Sequence, residues 1–200
     1  MMRHEGTWVI VLLTLGGVLL ARLLYRFMCG FSVRSPQDVF PFLLGLDTEL
    51  LNGVFHPESE EHFRSKHSPA EFRKLQWKRI HLALHYCNKL SNNARVLLGW
   101  TRFERTENWS VLDPTSREEV LSLRDVCIQC LHSSLVMRLS LRWWLVRMAI
   151  APLSQPPTFK TLIDRGSADM ISFYEKARLL AENFSHVYGK DYHRKLVESL

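Results

Sequence analysis

Apolar positions come first as one long run and then fall into steps of three and four. From Thr7 to Ala21, fifteen residues pass without a charge, about 22 Å of helix at 1.5 Å per residue, which is short of a hydrocarbon core of roughly 30 Å. Carried through Met28 the run reaches twenty-two residues and about 33 Å, with Arg22 and Arg26 on one helix face, able to snorkel to the headgroups, and Tyr25 suited to the interface. The pattern predicts a transmembrane anchor over 7–28 behind a short tail, 1–6, with Arg22, Tyr25 and Arg26 as its boundary residues. It reads as an uncleaved signal-anchor, because Glu5 offsets Arg3 and no small-residue cleavage site follows.

Residues 29–67 read as a membrane-proximal connection. Ser35-Pro36-Gln37-Asp38 carries the cap, proline and acid that open a short helix, which Pro41 disturbs and Gly53 stops. The polar stretch from His56 to His67 reads as a surface connection with room for one turn of helix. A helical domain then occupies 68–200. Ser68, Pro69 and Glu71 form a capping box at the head of a helix over about 69–107, which nothing breaks strongly before Asn108 and in which Ser91-Asn92-Asn93 leaves a kink or a recap open. Asp113-Pro114-Thr115 marks a turn, and Ser116 with Glu119 restarts a helix that meets no Gly or Pro before Pro152, about 116–151. Two helices of similar length joined by one short turn make an antiparallel hairpin. Met170, Phe173, Tyr174, Ala177, Leu180, Ala181 and Phe184 give an amphipathic helix at about 168–187, and Gly189 precedes a polar C-terminal tail. No stretch sustains period-two alternation, so the fold class is all-α: a single N-terminal transmembrane helix followed by a helical bundle built on a long antiparallel hairpin.

Charge adds an orientation. Arg22, Arg26 and Arg34 follow the apolar run whereas Arg3 precedes it, which places the N-terminus outside and the C-terminal domain in the cytoplasm of a single-pass protein. The four cysteines, Cys29, Cys87, Cys127 and Cys130, lack the spacing of a disulfide framework and suit a reducing compartment. A net charge of +6 fits an anionic membrane, an acidic partner or nucleic acid. No nucleic-acid partner is expected, because the arginines are interleaved with bulky apolar residues rather than gathered on one polar face.

Candidate chemistry is sparse. His81 and His85 stand one helical turn apart, the spacing of two imidazoles on one metal, but Leu82 occupies the position where a zincin helix carries its glutamate. They are weak metal candidates, set against a polar seam shared with Asn88 and Asn92. Cys127 and Cys130 have redox spacing inside a helix, where thiols pack as small apolar groups. No catalytic residue and no cofactor is predicted. The most informative cluster is basic and aromatic: no acid occurs between Asp125 and Asp164, while Arg138, Arg142, Trp143, Trp144 and Arg147 fill the end of the second hairpin helix. The hairpin sets them beside Arg73, Lys74, Trp77 and Lys78 at the start of the first, at the end that the connection from the anchor is expected to reach. These nine residues are the expected lipid or partner contacts, the competing reading being that the tryptophans fill the core. The lipid bilayer is the expected partner and a protein the second; no oligomeric state is encoded in the pattern. The expected function is a membrane-anchored interaction or scaffold module at the cytoplasmic membrane surface, more in keeping with a non-enzyme. The alternative is a membrane-tethered enzyme or metal protein using the His81/His85 helix face.

Overall fold

A computed structural model describes residues 33–55, 57–150, 159 and 168–200, with two isolated helical positions, Thr14 and Gly17. The expected anchor, with Arg22, Tyr25 and Arg26, lies outside the described residues. Val33–Leu200 forms one compact unit, and every regular element described in it is helical.

Its frame is a hairpin of two long helices that flank a turn. Here α1 is Thr48–Phe55, α2 Pro57–Lys66, α3 Pro69–Phe103, α4 Pro114–Ile150, α5 Ala168–Ser185 and α6 Lys190–Ser199. α3 starts where its capping box predicts: Ser68 Oγ accepts from Glu71 N, and Ser68 N donates to the Glu71 carboxylate at 3.0 Å. The helix runs unbroken past Ser91-Asn92-Asn93 and ends in one wide π-helical turn, Glu104–Asn108. α4 begins two residues earlier than the Ser116 reading. Asp113 is the cap, its Oδ2 accepting from Thr115 N at 3.1 Å and Ser116 N at 3.2 Å, and Pro114 takes the first helical position, where no donor is needed.

The connection is more helical than its composition suggests. Ser35 and Asp38 cap a 3-10 helix over Pro36–Phe42, extended chain follows, and α1 includes Gly53 in its interior instead of stopping there. A single glycine costs a helix only about 1 kcal/mol, which tertiary packing overrides. The polar stretch from His56 to His67 carries the ten-residue α2, longer than a single turn, with Glu61 to Lys66 exposed.

This segment runs antiparallel to α3 and is pinned to it by polar side chains. Tyr192 Oη on α6 donates to Pro36 O at 2.9 Å, Asn92 Nδ2 to Phe42 O at 2.7 Å, Lys89 Nζ to Gly45 O at 3.2 Å and Arg79 Nε to Val54 O at 2.6 Å. The chain therefore enters the described unit beside the hairpin turn, near Trp100 and Tyr192, whose rings lie 5.9 Å apart. It reaches the start of α3 only at α2. The connection thus runs the length of α3 before it meets the basic, aromatic end, Trp77 lying 23 residues, about 35 Å of helix, from Trp100.

α5 packs along the hairpin and completes the core, in which Leu90, Leu97, Trp100, Leu123, Leu131, Leu141, Tyr174 and Phe184 are almost wholly buried. Cys87, Cys127 and Cys130 are buried free thiols. Burial pushes the Cys87 thiol up to about 12, so it packs as a neutral group.

Candidate functional site

The C-terminal half of α4 is apolar on two opposite faces. Met137, Leu141, Trp144 and Met148 point into the bundle and are buried, whereas Val136, Leu139, Trp143, Val146 and Ile150 are exposed, Trp143 at 65% and Ile150 at 77%. At about 100° per residue the exposed five share one stripe, and Arg142 and Arg147, both exposed, fall about 60–80° to either side of it. Leu121 and Ile128 lie on the same line nearer the hairpin turn and are also exposed, the exposed Asp125 and His132 interrupting the line between them and Val136. A single inward face would be the ordinary arrangement for a surface helix. Among the described residues α4 is the one helix long and apolar enough to cross a membrane, with 44% of its most apolar window buried inside the bundle.

The predicted basic and aromatic residues are brought together as the hairpin requires. Arg73 Nη2 donates to Met148 O at 2.6 Å, which sets the first turn of α3 against the last turns of α4 and satisfies a carbonyl near a helix end. Arg138 Nη1 reaches Asn88 Oδ1 at 3.4 Å across the hairpin. Lys74, Trp77, Lys78, Arg142, Trp143 and Arg147 are exposed, and Arg73 and Arg138 half-buried. The two tryptophans part company: Trp144 is 6% exposed and meets Phe159 edge-on at 5.7 Å, so it belongs to the core.

His81 and His85 are both exposed, His81 lying against Trp77 at 5.5 Å and His85 against Tyr86 at 6.0 Å. Among the described residues no group of three or more His, Cys, Asp or Glu side chains is placed to hold a metal. The seam is only partly a seam, since Asn88 and Asn92 bind across to Arg138 and Phe42 while the histidines face outward.

Two buried carboxylates escaped the sequence reading. Glu60 on α2, 4% exposed, accepts from Phe159 N at 2.7 Å and from Gln76 Nε2. Arg79 stands by, its guanidinium 4.2 Å over the Phe159 ring. Burial raises the Glu60 carboxyl above its ordinary value, opposed by the Phe159 N–H, Arg79, Gln76 and Arg64. This cluster floors an open cleft of about 720 Å³ between α1, α2 and the first turns of α3. The second carboxylate, Glu104, is fully buried at the π turn and accepts from Trp100 Nε1 at 2.7 Å, Asn108 Nδ2 at 2.9 Å and Tyr188 Oη. Tyr188 is held well above its ordinary value by burial and by Glu104. This second cluster locks the end of α3 to the C-terminal segment. No residue-type signal separates Glu60 from Glu58 or Glu61, which is why it could be found only in three dimensions.

Fold and site together define an all-helical bundle on a long hairpin with one unusually apolar outer face. No protein-family model matches the chain, and neither a curated protein nor a solved structure matches it.

Proposed function

We propose that this chain is a membrane-tethered helical interaction module whose α4 outer face rests on an anionic lipid surface. The observation that carries the reading is the second apolar face of α4, Val136 to Ile150, exposed and flanked by Arg142 and Arg147. An apolar stripe with guanidinium groups on both sides suits burial at the headgroup boundary, where arginine binds phosphate and tryptophan is at home. The apolar run at 7–28 supplies the tether, with the domain on the cytoplasmic side. A surface pose is favoured over a second crossing. α4 is partly buried against α3 and α5, and crossing would take Arg138, Arg142 and Arg147 into hydrocarbon, each arginine costing about 2.5 kcal/mol or more.

Liposome flotation of the compact unit 33–200 tests this. Binding to vesicles containing anionic lipid, weakened by salt and by Arg142→Glu/Arg147→Glu, and lost in Trp143→Asp/Ile150→Asp, is the expected result. A folded unit that stays unbound at low salt overturns the reading.

A further inference from the structure

The cleft beneath α1 has the features of a site for a single aliphatic chain. Its walls are Leu50, Val54, Phe63, Phe72, Leu75 and Leu82. Val54 and Phe72 line its depth and are buried, while Leu50, Phe63 and Leu82 stand at its mouth more than two-fifths exposed. Three large apolar side chains around one opening leave surface that an apolar occupant would take from water.

The polar groups of the cleft are already engaged. Glu60 accepts from Phe159 N and Gln76 Nε2, Arg79 Nε donates to Val54 O, and Asp47 Oδ1 accepts from Leu50 N at 2.9 Å. A peptide or nucleotide laid in the cleft would bring amides or phosphates with few partners there. A hydrocarbon chain brings none. At the rim the exposed Lys78 offers a cation to an anionic head.

At roughly 30 Å³ per methylene, about the share of one water in the liquid, a sixteen-carbon chain fills about 480 Å³. The cleft holds about 720 Å³, room for such a chain. We infer that the α1–α3 cleft binds a long-chain fatty acid, its tail between Leu50, Phe63, Phe72 and Leu82 and its carboxylate on Lys78. This site is separate from the α4 outer face and does not depend on it.

Gly53 provides the test. It lines the cleft inside α1, and a Cβ added there meets nothing within 4 Å, so Gly53→Leu fills the cleft without disturbing the helix. The full chain in phosphatidylcholine nanodiscs is irradiated with a photoactivatable palmitate, and adducts are mapped by mass spectrometry. Adducts on peptides spanning Leu50–Leu82, competed by plain palmitate, are expected, falling about fivefold or more in Gly53→Leu and in Lys78→Glu. Thermal unfolding confirms that both variants are folded, and Lys78, being exposed, carries the test should Gly53→Leu unfold. Trp143→Asp/Ile150→Asp is expected to leave labelling unchanged, so the cleft and the membrane face fail separately. Undiminished labelling in the folded variants, equal labelling of these peptides by a diacyl phosphatidylcholine probe, or no competable adduct overturns the inference.

Discussion

Asn93 uses all its amide groups inside the bundle: Oδ1 accepts from Leu44 N at 2.8 Å, while Nδ2 donates to Leu44 O at 2.8 Å and to Tyr174 Oη at 2.9 Å. Tyr174 is pushed up to about 12, burial being the main cause, and its hydroxyl reaches Leu200 O at 3.4 Å. One side chain thus ties the connection, α3 and α5 to the C-terminus. Asn93→Ala is expected to cost about 3 kcal/mol in urea unfolding, because it leaves several polar groups without partners. Glu60 behaves differently. Its folded value lies above the ordinary 4.5, so the folded state holds the proton more tightly than the unfolded chain, and the group's contribution to stability falls as pH rises from about 4.5 through the raised value. Glu60→Gln removes that dependence. Melting temperatures across pH 4–8 should show the variant gaining on the parent protein as pH rises and levelling above the raised value; a constant difference would contradict the assigned cause.

α4 separates its two adjacent tryptophans by 100° of helix, and stability should separate them too. Trp144→Ala opens a cavity beside Phe159 and is expected to cost about 3–5 kcal/mol, whereas Trp143→Ala, on the exposed stripe, should change unfolding free energy by about 0.5 kcal/mol or less. Chemical denaturation of both variants checks this. The hairpin itself was legible: Ser68, Pro69 and Glu71 fix the start of α3 by local hydrogen bonding and ring geometry that operate within four residues, and Asp113-Pro114 marks the turn, although Asp113 and not Ser116 caps α4. Ser91-Asn92-Asn93 left a kink open, and α3 runs through it unbroken, because the same amides that break helices locally are here spent on Phe42 and Leu44, fifty residues away. Periodicity could not say which face of α4 points inward either. A helix apolar on two sides presents the same residues to both readings.

At the scale of the whole molecule, the connection meets the basic, aromatic end through α2, but the path it takes to get there is not written in its residues. Residues 33–55 run back along α3, held by tertiary bonds from Asn92, Lys89 and Arg79, and no pattern within the segment states that direction. The consequence is functional: the chain joins the unit beside the hairpin turn, while the most exposed part of the α4 stripe lies toward the other end. A contact that includes Leu121 as well as Ile150 requires α4 to lie along the lipid surface, not end-on to it. A fluorophore sensitive to polarity, attached at Leu139→Cys in a Cys29→Ser full-length chain, reports that pose directly, the remaining cysteines being buried. In vesicles containing anionic lipid its emission should shift to the blue and be quenched by lipid-borne nitroxide, and a second label at Leu121→Cys should respond in the same way. Emission at both positions that stays as in water, with the protein folded and reconstituted, would contradict the membrane-facing account of α4.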